Sequence, residues 1–223
     1  MQQNVLAAQC AAGAFFYITR EGIERSKEWE KLYGGKVGKN DPTVYGRDWY
    51  LDANNRKIGV RHYDPYDYLV KDVAVAQTHN VSVNGKSGKT TFNIGLGYLD
   101  QDGMNKAAKE DNFKRYNASI NLTTEFNKWI TLKAGAIYSK REKSYPYNAT
   151  GVFDPWYYCY RWSDIYPMGT DENGNELRSP ASEFSQANTA KMTRNYTNIN
   201  MGLHLNILKG WTADFDYSHA NQE

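Results

Sequence analysis

The sequence predicts an all-β protein, an antiparallel up-and-down sheet of the transmembrane β-barrel type with a partly helical N-terminal loop region. Three observations predict it. Apolar and polar residues alternate with period two in separate stretches after Gln77, the connections between those stretches alternate between tight and long, and aromatic residues gather at the stretch ends. Composition permits this: 223 residues carry 27 basic and 25 acidic side chains for a net charge of +2, with 40% hydrophobic and 14% aromatic content, including 18 Tyr and 6 Trp. Charge so nearly balanced argues against a nucleic-acid or polybasic membrane-surface binder. No run reaches the roughly 18 apolar residues of a membrane-spanning helix. Mean hydropathy of −0.76 still suits a membrane barrel, whose strands are apolar only at every second position.

Residues 1–76 read as a partly helical, irregular region, expected to be an extracellular loop. Val5 to Tyr33 has helix-compatible composition, with Glu21, Glu24, Arg25, Lys27, Glu28, Glu30 and Lys31 around Ile23, Trp29 and Leu32, and predicts one or two short helices. The small apolar run Val5 to Ile18 lacks the basic n-region of a signal peptide, and Gln9 stands where a lipoprotein signal needs a small residue before Cys10. If the protein is exported, its signal lies outside this sequence. Gly34, Gly35, Gly38 and Asp41-Pro42 stop the helical stretch, and Asp64-Pro65 reads as another turn. Cys10 and Cys159 are two cysteines far apart, supporting neither a disulfide scaffold nor a zinc site.

Residues 77–223 read as strands joined by turns and long loops. A short strand, 78–84, comes first. In 89–99, Phe92, Ile94, Leu96 and Tyr98 oppose Thr91, Asn93, Gly95 and Gly97; in 115–124, Tyr116, Ala118, Ile120 and Leu122 oppose Asn117, Ser119, Asn121 and Thr123. The pattern continues in 130–140, where Leu132, Ala134, Ala136 and Tyr138 oppose Thr131, Lys133 and Gly135. In 197–207, Ile199, Met201, Leu203 and Leu205 oppose Asn198, Asn200, Gly202 and His204, and in 211–219, Trp211, Ala213, Phe215 and Tyr217 oppose Thr212, Asp214 and Asp216. Tight turns fall at Gly85 to Gly88, Asn127-Lys128 and Lys209-Gly210; long loops fall at about 101–112 and 144–193. One smooth edge and one elaborated edge is the layout of an outer-membrane barrel.

Aromatic placement agrees. Tyr98, Tyr116, Tyr138 and Tyr217 lie on the apolar face near the long loops, while Phe126, Trp129 and Trp211 lie beside tight turns, as two interfacial girdles require. A strand of about ten residues at roughly 3.3 Å each, tilted about 45°, spans on the order of 23 Å, the height of such a barrel's apolar band. The alternative is a water-soluble sheet, for example a glycan-binding module without transport activity. Its polar face would meet solvent and carry Lys, Glu and Arg, whereas here that face is mostly Asn, Gly, Thr and Ser, suited to a hydrated lumen. Six strands are too few to close a single-chain barrel, so the sequence is expected to be a section of one.

The blocks QTHNVSVNGKSGKTTFNIGLGYLDQDGMN and KRYNASINLTTEFNKWITLKAGAIYSKREK, followed by DPWYYCYRW, DENGNELRSP and DFDYSHANQE, resemble the SusC/RagA family of TonB-dependent outer-membrane transporters over roughly residues 62–223. The resemblance implies an internal section of a 22-stranded barrel in the outer membrane, set in outer-membrane lipid. It implies an N-terminal plug, a SusD-like surface lipoprotein as lid, the TonB complex acting through the plug, and import of oligosaccharides or peptides. No plug-like or TonB-contacting segment is recognisable here, so no energy-coupling residue is carried over.

No catalytic constellation, cofactor motif or metal motif emerges. His62, His79, His204 and His219 lack zinc spacing and a triad-like partner set. Gly95-Leu96-Gly97 lies inside a strand with no helix after it, and Asp171 to Glu176 has its glycine misplaced for a calcium loop. The candidates that remain are for binding. Asp154, Trp156, Tyr157, Tyr158, Tyr160, Arg161, Trp162, Asp164 and Tyr166 crowd the long loop, where aromatic faces suit sugar rings or peptide side chains and the charged groups supply hydrogen bonds. The same aromatics could equally pack on one another into a rigid cap. Asn93, Asn117, Asn121, Lys133, Asn198, Asn200, His204, Asp214 and Asp216 are expected to face the lumen.

Overall fold

A computed structural model describes residues 18–147 and 155–223, the side chains of Pro155 and Tyr160 excepted. Most of the predicted Val5 to Ile18 run, Cys10 and Asp154 lie outside the described residues. Two compact units emerge, one from the chain up to Val73 with Met104–Glu110 and Pro146–Thr189, the other from Ala74–Gly103, Asp111–Tyr145 and Ala190–Glu223.

The second unit is a six-stranded antiparallel sheet in simple sequential order: β3 (Ala76–Ser87), β4 (Thr90–Asp102), β5 (Asn112–Asn127), β6 (Ile130–Pro146), β7 (Thr189–Leu208) and β8 (Trp211–Gln222). Register keeps the alternation coherent across strands. Val81 pairs with Leu96, Ile94 with Ile120, Tyr98 with Tyr116, Ile120 with Ala136 and Leu203 with Phe215, so the apolar residues share one face. That face is bare. Leu96 is 58% exposed, Met201 60% and Phe215 61%. Among the described residues every buried apolar side chain, from Ile18 to Phe184, belongs to the other unit.

The strands outrun their sequence signal. β6 continues through Lys140, Arg141, Glu142 and Lys143 to Pro146, and β7 starts at Thr189, before the predicted 197. Hydropathic alternation fades where both faces are polar, but backbone pairing does not depend on it. Turns are where glycine freedom is used: Gly88 and Gly210 adopt φ of 59° and 85° in the β3–β4 and β7–β8 turns.

The first unit holds the core. Helix α1 (Arg20–Tyr33) is capped by Thr19, whose hydroxyl accepts from Gly22 N at 3.0 Å, and its Gly22, Ile23, Ser26 and Trp29 face is buried at helical spacing. A hairpin, β1 (Trp49–Leu51) with β2 (Lys57–Gly59), turns on Asp52, whose carboxylate accepts from Asn54 N and Arg56 N. Helices α2 (Pro65–Leu69), α3 (Pro155–Arg161) and α4 (Pro180–Gln186) are short. Asp64-Pro65, read as a turn, is a helix start: the Asp64 carboxylate accepts from Tyr66 N at 2.9 Å and proline sits in the first turn. The 144–193 loop contains α3 and α4, the latter opened by a Ser179–Ser182 capping box.

Segments remote in sequence are knitted together within this unit. Thr43 N donates to Thr170 O at 2.8 Å, Thr43 Oγ1 to Met168 O at 2.8 Å and Tyr63 N to Asp164 O at 2.6 Å. Gly59 lies so close to the Ile165 carbonyl that a Cβ would overlap it. Gly59→Ala is therefore expected to destabilise the unit by about 1–3 kcal/mol, the usual range for overpacking, as a lowered thermal midpoint. An unchanged midpoint would refute the close packing of 59 on 165.

Candidate functional site

The loop aromatics of the helical unit pack as one pair and one longer array. Trp156, 45% exposed, stands edge-on to Tyr66 at 5.8 Å between ring centres. The Arg161 guanidinium lies 5.1 Å from the Tyr157 ring, and Tyr157 meets Tyr158 at 5.3 Å. Tyr158 turns inward against Phe184 at 5.7 Å and Trp162 at 6.3 Å, and Trp162 meets Tyr166 at 5.2 Å. Leu69, Val70, Cys159 and Phe184 form the core beneath. Thus Tyr158 and Trp162 serve packing, while Trp156 and Arg161 are exposed. Asp164 is half-buried and contributes its carbonyl to Tyr63 N; burial raises its carboxyl above the usual range. The Tyr160 side chain and Asp154 lie outside the described residues.

The longer array continues onto the β1–β2 hairpin, through residues outside the aromatic-rich loop. The Lys57 ammonium lies 5.9 Å from the Tyr166 ring centre and 4.9 Å from that of Trp49, and Trp49 stands edge-on to Tyr45 at 4.8 Å. Burial lowers the Lys57 pKa. The available signal was the WYL and KIG stretches flanking an Asp52-Ala53-Asn54-Asn55 turn: in a hairpin, Trp49 and Lys57 come to one face.

Two polar centres lie in the same unit. Asp48, fully buried, accepts from Trp29 Nε1 at 2.9 Å, Val44 N at 2.9 Å and Arg47 at 2.7 Å, with Arg61 at 3.5 Å. Arg61 also donates to Gly38 O at 2.7 Å and Asp41 O at 3.0 Å. His62 Nε2 lies 2.8 Å from Ser26 Oγ, a contact the sequence did not announce, and Ser26 is fully buried on α1. Burial lowers the His62 pKa, which favours the neutral ring. No cluster of three metal-ligating side chains occurs among the described residues. Asp171 is occupied as a turn residue, accepting from Asn173 N and Asn175 N at 2.8 Å each.

The second candidate group shares the polar face of the sheet. Asn93 pairs across the strands with Asn121 and donates from its side-chain amide to Asn84; Asn117 accepts from Ser139 Oγ at 2.8 Å. Asn198 donates to Ser218 Oγ at 3.3 Å, and His204 Nδ1 lies 2.7 Å from Asp214 Oδ1. Glycines make room between these groups: Asn121 and Asn200 crowd over Gly135, and Lys133 and Asp216 over Gly202. The result is a hydrogen-bonding surface of low net charge, able to present amide donors and acceptors to water or a polar solute.

No protein-family model matches the chain. It is 32% identical over 109 residues to the TonB-dependent receptor SusC of Bacteroides thetaiotaomicron, an alignment covering 49% of this chain and 10% of that protein. Its fold is like that of chains in two solved structures. One is the RagAB peptide importer in the closed-closed state, with TM-score 0.53, 18% identity and coverage of 100% of this chain and 26% of the other. The second is the RagAB peptide transporter, with TM-score 0.53, 16% identity and the same coverage. The chain thus spans about a tenth of its curated relative and about a quarter of the solved chains. It is SusC/RagA-like: in sequence over about half its length, in backbone over all of it.

Proposed function

We propose that this chain is a wall section, with associated outer loops, of an outer-membrane TonB-dependent transporter that imports oligosaccharides or peptides. The bare apolar face carries this reading. A sheet with Leu96, Met201, Phe215 and Tyr217 each more than half exposed, and amides on its reverse, is stable where hydrocarbon meets one face and water the other. In water alone it would be an aggregation surface. The amide face, with Asn93, Asn117, Asn121, Lys133, Asn198, Asn200, His204, Asp214 and Asp216, lines the lumen; the exposed loop groups, Trp156 and Arg161, meet substrate. A SusD-like surface lipoprotein and the TonB complex are the partners, neither assigned to residues of this chain, and the role is transport rather than catalysis.

Solubility tests the reading first: the protein should require detergent, and a monomer in plain buffer would favour the glycan-binding alternative. Substrate contact is tested by pairing an exposed and a packed aromatic. Trp156→Ala should weaken substrate binding by about 1 kcal/mol, roughly five-fold, with unchanged thermal stability. Tyr158→Ala, which strips a ring from Phe184, should lower stability by about 2 kcal/mol, below the full cost of a wholly buried ring. Unaltered affinity in the folded Trp156→Ala transporter would remove Trp156 from the substrate path.

A further inference from the structure

We infer that the tight-turn edge of the sheet is a docking surface for the phosphate headgroups of anionic phospholipids, held by Lys89, Lys128 and Lys209. The inference rests on the membrane-wall reading and adds a lipid specificity to it. Each tight turn, at Gly88-Lys89, Lys128-Trp129 and Lys209-Gly210, contains one lysine and no carboxylate. Beside them stand large apolar groups, Phe126 at 64% exposure, Trp129 at 49% and Trp211 at 69%. Lysine next to exposed indole is the combination that seats in a headgroup layer, the ring in the interface and the ammonium at the phosphates.

The Lys128 ammonium lies 4.8 Å from the Trp129 ring centre, and Lys89 Nζ donates to Phe126 O at 3.0 Å, so both cations are held next to the aromatic group that would mark the interface. Consecutive hairpins lie two strands apart, so the lysines repeat at roughly 10 Å along the edge. The nearest carboxylates along the strands, Glu125 and Asp214, are on the amide face, and Asp214 is engaged by His204. Nothing in the turns neutralises the row. At the opposite strand ends the charges are mixed and paired, Lys114 with Asp100 at 3.7 Å and Lys140 with Glu142 at 2.8 Å. A turn that needs only hydration has no use for this one-signed pattern; an anionic headgroup layer does.

The test is flotation of the detergent-purified protein with vesicles of phosphatidylcholine alone, or of phosphatidylcholine with one quarter phosphatidylglycerol, in low and high salt. The expected result is a preference for the anionic vesicles that high salt erases. Each turn lysine should supply roughly five-fold of it, so Lys89→Gln/Lys128→Gln/Lys209→Gln should reduce it on the order of a hundredfold. The triple Lys→Arg variant should keep the preference, and Lys114→Gln/Lys140→Gln should leave it unchanged. A triple Gln variant with wild-type preference, or a wild type that binds both vesicles equally, overturns the inference and leaves the membrane wall standing. A protein that floats with neither vesicle overturns both.

Discussion

Leu96→Arg is expected to destabilise the membrane-inserted protein by about 2–4 kcal/mol, the cost of a cationic side chain near the bilayer midplane on the lipid face of a barrel. Leu96 sits midway along β4, paired with Val81 and Ala118, and its side chain is 58% exposed within this chain. At an exposed position of a water-soluble protein the same exchange is worth within about 0.5 kcal/mol either way. The two readings therefore differ several-fold in one measurement, denaturant unfolding of the protein folded in lipid vesicles. A companion on the other face, Asn117→Asp, should cost much less, because that face is hydrated in the proposed barrel. Equal small effects from both substitutions would end the membrane-wall proposal.

Asp48→Ala should cost the helical unit about 3–5 kcal/mol, since removing one partner of a buried ion pair leaves the other charge uncompensated. Arg61, 2% exposed, would lose its carboxylate while still buried, and Trp29 Nε1 and Val44 N would lose their acceptor. The same cluster sets an acid limit. Burial alone would raise the Asp48 pKa, but hydrogen bonds from Arg47, Val44 N and Trp29 outweigh it and the net shift is downward. The folded state thus holds this proton less tightly than the unfolded chain. Its contribution is fully present above the unfolded value of about 3.9 and disappears as pH falls through the lower folded value. Asp52, lowered by hydrogen bonds at Arg56, acts in the same direction; Asp164, raised by burial, acts oppositely. Thermal midpoints should drop below about pH 4 in the wild type and change less over that window in Asp48→Asn. A wild-type midpoint indifferent to acid would show that the Asp48 cluster contributes little.

Most of the sheet was legible in the residues. Period-two alternation is a property of local backbone geometry, so Phe92 to Tyr98 or Ile199 to Leu205 declare a strand and its two faces without knowledge of any neighbour. Tight turns declare themselves equally locally, through Gly88 and Gly210. Strand ends were less legible, because Lys140 to Lys143 are polar on both faces while still paired with β5. Short helices were hidden in a different way. Asp64-Pro65 and Ser179-Pro180 satisfy both turn and helix-start rules, and only the packing of the residues after each proline selects between them.

Local residue patterns declare the strands, their order of appearance, the division into an oily and an amide-bearing face and the resemblance to a transporter family. Tertiary structure alone decided that α1, the β1–β2 hairpin, the Met104–Glu110 segment and the long loop form one packed unit. It also decided that Trp49 and Lys57 join Tyr166, and that Tyr158 is a packing residue while Trp156 stands open to solvent. The reason is range. Alternation is written between residues two apart, whereas Thr43 meets Met168 across 125 positions through contacts that no local pattern encodes.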